Sequence, residues 1–138
     1  MTANMTPKFA LLACALIAIA PTAQAQPKKF VGYTINAETP DVTGVMLHEG
    51  YNVKQVIAFV QKSCKGGKIG PFALATKTHR KGGFELKNFK TTCPAGPASR
   101  FNGTQSLTVE HELLPDGRTL TEYFYVNGGE SKRLVEFE

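Results

Sequence analysis

Apolar residues recur along this chain with two different periods, and the changes of period divide it into elements. Across residues 51–64, YNVKQVIAFVQKSC, the spacing is helical. Val53, Val56, Ile57, Val60 and Cys64 fall at i, i+3, i+4, i+7 and i+11 and share one face. Phe59 borders that face, while Lys54, Gln55, Ala58, Gln61 and Lys62 take the other side. The ends carry matching signals. Asn52 is a favoured N-cap, Gln55 completes a capping box, and Tyr51 with Val56 suits a hydrophobic staple. Lys62 and Lys65 suit the negative end of the helix dipole, and Gly66 suits the left-handed residue that closes a helix. The β-branched Val53, Val56, Ile57 and Val60 argue the other way, because they lose rotamer freedom in a helix. Caps and period agree, and together they predict a helix.

Elsewhere the pattern is that of strands. Residues 30–35, FVGYTI, are aromatic and β-branched. A loop with Pro40 follows, and 43–47 is a second short strand or a lead-in to the helix. After a turn at 65–68, residues 69–78 predict a strand whose start is broken by Gly70 and Pro71. Residues 78–83 read as a hairpin connection. The return strand 84–89 places Phe84, Leu86 and Asn88 on one face and Glu85, Lys87 and Phe89 on the other. Pro94, Gly96 and Pro97 make 92–100 a loop pinned by Cys93. The last third predicts a three-stranded meander over 106–113, 118–126 and 131–137, with turns at Pro115-Asp116-Gly117 and Asn127-Gly128-Gly129. Leu107, Val109, His111 and Leu113 share a face. In the next strand Leu120, Phe124 and Val126 share one, with Glu122 intruding, and Thr119, Thr121, Tyr123 and Tyr125 share the opposite one. The expected fold is α+β: a mostly antiparallel sheet with one amphipathic helix packed on it and one disulfide. The competing architecture is an all-β barrel or sandwich in which Val53 to Val60 is a buried strand.

The first residues follow neither pattern. Lys8 is a lone charge, 9–20 is a continuous apolar run, and Ala23-Gln24-Ala25 is a small-x-small cleavage site. Residues 1–25 therefore read as a cleavable signal peptide of bacterial type, too short in its apolar run for the roughly 20 residues a membrane span needs. A lipoprotein alternative at Leu11-Leu12-Ala13-Cys14 leaves a very short apolar run, so Cys14 is assigned to the discarded segment. The mature protein is then a single domain over 26–138, periplasmic or secreted, with no transmembrane segment. In such a compartment Cys64 and Cys93 most simply form one bridge.

Charge is the feature that bears most on function. The 138-residue chain carries a net charge of +5, but unevenly. Between residues 51 and 101 Lys54, Lys62, Lys65, Lys68, Lys77, Arg80, Lys81, Lys87, Lys90 and Arg100 meet a single acid, Glu85. From residue 102 on, Glu110, Glu112, Asp116, Glu122, Glu130, Glu136 and Glu138 outnumber Arg118, Lys132 and Arg133. Such asymmetry points to an anionic partner, unless the two regions lie side by side and cancel. Export, and a basic run without alternating aromatic residues, argue against nucleic acid.

Candidate chemistry is sparse. His48, His79 and His111 show no HxH or HExxH spacing, and no CxxC occurs. His111, on an apolar strand face, reads as a buried hydrogen-bonded histidine. Ser63, Ser99 and Ser106 lack a nucleophile elbow. Glu110, Glu112 and Glu122 approach each other across a hairpin, but glycosidase chemistry also needs a cleft around the pair. No catalytic residue, metal site or cofactor is assigned. Tyr123 and Tyr125 share a strand face, and they either cover the core or form an aromatic patch for a partner. The expected function is a small non-enzymatic binding or accessory protein of the bacterial envelope. It would take an anionic envelope component or a protein partner through a basic hairpin of Lys77, Arg80, Lys81, Lys87 and Lys90. The alternatives are an inhibitor or immunity-type protein that plugs a secreted enzyme with the 92–100 loop, and a small metal-dependent hydrolase.

Overall fold

The computed structural model describes residues 29–138. The predicted signal peptide lies outside the described residues. The elements run β1 (Phe30–Asn36), β2 (Asp41–Leu47), α1 (Val53–Ser63), β3 (Ala73–Lys81), β4 (Phe84–Thr92), β5 (Ser106–Leu113), β6 (Thr119–Asn127) and β7 (Glu130–Phe137). Short 3-10 turns at Lys65–Gly67 and Ser99–Phe101 lie between them. All the strands join one antiparallel sheet in the order β3-β4-β2-β1-β5-β6-β7. The sheet is open, with β3 and β7 as its edges. The barrel or sandwich alternative is therefore overturned, and Val53 to Val60 is helical. Among the described residues no helix is long and apolar enough to cross a membrane.

The capping box explains why α1 forms despite its β-branched residues. The Asn52 side chain accepts from the Gln55 backbone N–H at 2.9 Å, and the Gln55 side chain accepts from the Asn52 N–H at 3.0 Å. The buried stripe differs from the expected one. Val56, Val60 and Ser63 are buried and Phe59 packs on the core, whereas Val53 is 37% exposed. The helix is rotated so that Phe59 and Ser63 reach the sheet. Cys64 caps it, and Gly66 does take a left-handed conformation (φ 72°), but inside the following 3-10 turn and not as the closing residue.

Glycine pairs set two hairpins. Gly82 and Gly83 (φ 61° and 85°) turn the chain in two residues, so that Lys81 pairs with Phe84. His79 to Lys81, expected in the connection, thus belong to β3. Gly128 and Gly129 do the same between β6 and β7. The two faces of β6 divide as expected, and the register of the meander decides which of them meets the core. Leu113 pairs with Thr119, so Thr121, Tyr123 and Tyr125 lie opposite His111, Val109 and Leu107. The tyrosines point to the helix side, and Leu120, Glu122, Phe124 and Val126 to the open side.

The core lies between α1 and one sheet face. Val31, Tyr33, Ile35, Val42, Met46, Phe89, Leu107 and Val109 meet Val56 and Val60 there. Gly44 has to be small because the Phe89 ring occupies the place of its side chain. A Cβ would also lie 2.6 Å from the Gly32 carbonyl oxygen. Cys64 and Cys93 form the disulfide, with Cα atoms 5.4 Å apart and both residues buried. It ties the end of α1 to the end of β4.

Candidate functional site

The structure divides the five basic residues of the hairpin. Residues paired across two strands share a face. Arg80 pairs with Glu85, and Thr78 with Lys87, on the face that α1 covers elsewhere. Lys81, opposite Phe84, and Lys90, opposite Ala73, are on the open face. Lys77 falls where the register shifts between Leu74 and Thr78. Arg80 donates to the Gly83 carbonyl at 3.3 Å, and Thr78 donates to Glu85 at 2.8 Å. Among the described residues, none of the five basic side chains is in a salt bridge. The hairpin thus presents cations on both faces, along the β3 edge. Lys90 stands apart, further along β4.

The acids of the meander are placed differently. Glu136 takes Arg100 at 2.6 and 3.2 Å, Glu138 takes Lys62 at 2.7 Å, and Asp116 takes Arg118 at 2.8 Å. Arg133 donates its Nε–H to Glu122 at 2.7 Å, and Lys132 lies 3.6 Å from Glu130. Strand order keeps this region away from the hairpin. β4 and β5 are separated by β2 and β1, and β3 and β7 are the two opposite edges. At about 4.8 Å per strand, those separations are roughly 14 and 29 Å. Exposed charges are screened over about 8–10 Å at moderate ionic strength. The acidic meander therefore does not cancel the basic hairpin.

The two tyrosines differ in exposure, Tyr123 being buried and Tyr125 half-buried. Tyr123 is 3% exposed, its ring 4.9 Å from that of Phe101, and the Arg100 guanidinium lies 4.7 Å above it. Tyr125 meets Phe101 edge-on at 5.1 Å. The hydrogen bond from Arg100 holds the Glu136 carboxyl below the usual carboxylate range. The loop before Phe101 is docked as well. The Ala98 N–H donates to the Ser63 carbonyl and the Lys65 N–H to the Gly96 carbonyl, both at 2.9 Å.

Ser63, Tyr33, His111 and Thr121 form a polar array that no sequence spacing announced. The Tyr33 hydroxyl donates to the Phe59 carbonyl at 3.0 Å. With that proton committed, the Ser63 hydroxyl (2.7 Å) and His111 Nε2–H (2.8 Å) donate to the Tyr33 oxygen. His111 Nδ1 then accepts from Thr121 at 2.9 Å. The imidazole also stacks on Phe59, with centroids 4.1 Å apart. Burial, and to a lesser degree Lys62, lowers the His111 pKa to about 3. Burial also raises that of Tyr33. A serine, a tyrosine and a histidine in contact could suggest catalysis, but Ser63, Tyr33 and His111 are all at most 3% exposed. The array satisfies buried polar groups between α1 and the sheet, and a substrate cannot reach it. His48 and His79 are exposed and lie elsewhere. Among the described residues no group of three or more His, Cys, Asp or Glu is arranged to hold a metal.

The open face carries a shallow depression of about 500 Å³. Gly32 lies in it with Phe30 beside it, threonines 34, 43 and 108 line it, and Lys90 and Glu110 are on opposite walls. Burial holds the Glu110 carboxyl above the usual range, with Glu122 and Glu112 adding repulsion.

No family model, no curated protein and no solved structure matches this chain.

Proposed function

We propose that this is a small exported binding or accessory protein of the cell envelope, which takes an anionic partner at the β3–β4 hairpin. The reading rests on one observation. The sheet order puts Lys77, Arg80, Lys81 and Lys87, none of them in a salt bridge among the described residues, toward one edge and the acidic meander toward the other, so a positive field persists there. The buried disulfide fits an oxidising compartment. Arg80 and Lys87 on one face, and Lys81 on the other, grip an anionic surface from both sides of the hairpin. The competing view is that lysines on β3 only keep an edge strand from pairing with other chains. The two views differ in what charge reversal does. The test is a pull-down from the envelope fraction with oxidised residues 26–138, washed at rising salt. The expected result is an anionic component retained at low salt, released at high salt, and lost with Arg80→Glu and Lys81→Glu together. Retention unchanged by that double reversal overturns the reading.

A further inference from the structure

We infer that the open-face depression is a second binding site, for a short peptide with a free ammonium at one end and a free carboxylate at the other. This inference is independent of the hairpin reading. Its walls carry opposite charges. The side chain of Glu110, on β5, has no hydrogen-bond or salt-bridge partner among the described residues, and neither has that of Lys90 on β4. Its neighbours Glu122 and Glu112 repel its charge, so a cation placed beside it relieves an unfavourable contact. Lys90 offers the matching ammonium on the other wall.

The span between the walls sets the ligand's length. Three strand spacings, roughly 14 Å, correspond to about four extended residues. The floor sets its character. Gly32 contributes no side chain, and the Phe30 ring closes over it, 3.2 Å from where a Cβ would be. Together with Val45 they make this part of the floor apolar. Around it, Thr34 and Thr43 are cross-strand partners, and the Thr34 and Thr108 hydroxyls lie 3.1 Å apart. With Asn88 they offer donors and acceptors to peptide groups. A concave site with an apolar floor and a few convergent polar groups is the usual form of a small-ligand site.

The test is a calorimetric or NMR titration of oxidised protein with tetra-alanine, using free-ended, N-acetylated and C-amidated forms. Wild type should bind the free-ended peptide saturably. N-acetylation should weaken it about fivefold, as expected of a partly exposed ion pair. In Glu110→Gln, N-acetylation should make no difference, and in Lys90→Gln, C-amidation should make none. Arg80→Glu with Lys81→Glu should leave tetra-alanine binding unchanged, which separates this site from the hairpin. Absence of saturable binding, or equal binding of capped and free peptides by wild type, overturns the inference.

Discussion

His111 shows how one residue can set the acid limit of the whole domain. Its pKa is about 3 in the folded protein, against about 6.5 when exposed. The unfolded chain therefore binds this proton more readily than the native state. The stability that depends on neutral His111 is complete above pH 6.5 and is lost as pH falls toward 3. The shift corresponds to on the order of 5 kcal/mol. Denaturant midpoints measured from pH 7 to pH 3 should fall more steeply for wild type than for His111→Gln, whose amide does not titrate. Equal slopes would show that the imidazole is not held neutral by its burial.

At the scale of elements, the disulfide and the loop that follows it hold α1 on the sheet. The bridge joins residues 29 apart in sequence, and the 93–98 backbone bonds to the helix end at Ser63 and Lys65. Crosslinking a loop of that length restricts the unfolded chain and stabilises by roughly 3–4 kcal/mol on the loop-entropy model. Cys64→Ser with Cys93→Ser should lower the unfolding free energy by about that amount in urea titration. A loss below about 1 kcal/mol would mean that the docked loop alone supplies the restraint. The hairpins show a simpler logic. Gly82-Gly83 and Gly128-Gly129 permit two-residue turns, and those turns fix the register of β3–β4 and β6–β7.

At the scale of the molecule, the sheet separates charge. The hairpin cations and the meander acids lie toward opposite edges, farther apart than the screening length. The field at the hairpin should therefore be insensitive to changes at the far edge. Glu130→Lys, on the β7 edge beside Lys132, should leave the salt needed to release the proposed anionic partner unchanged. It should alter stability by no more than about 0.5 kcal/mol. A shift as large as that caused by reversing Arg80 and Lys81 would mean that the partner reads net charge and not the hairpin.

The sequence by itself determined the local elements. Asn52 and Gln55 specified the start of α1, the glycine pairs specified the hairpin turns, and period-two runs specified strands, because each signal acts within a few residues. The order of strands was not legible, since it depends on contacts between residues far apart in the chain. Neither was the face of β6, because parity across the 114–118 connection and the burial of Tyr123 under Phe101 and Arg100 decided it. The list of basic residues was visible, but its division was not. Strand pairing put Arg80 and Lys87 on one face, and Lys81 and Lys90 on the other. Only the tertiary structure brought Ser63, Tyr33, His111 and Thr121 together, and set Lys90 and Glu110 across one depression. The physical reason is the same in each case. Propensity and capping are local, whereas burial, pairing and the distance between charges belong to the assembled sheet.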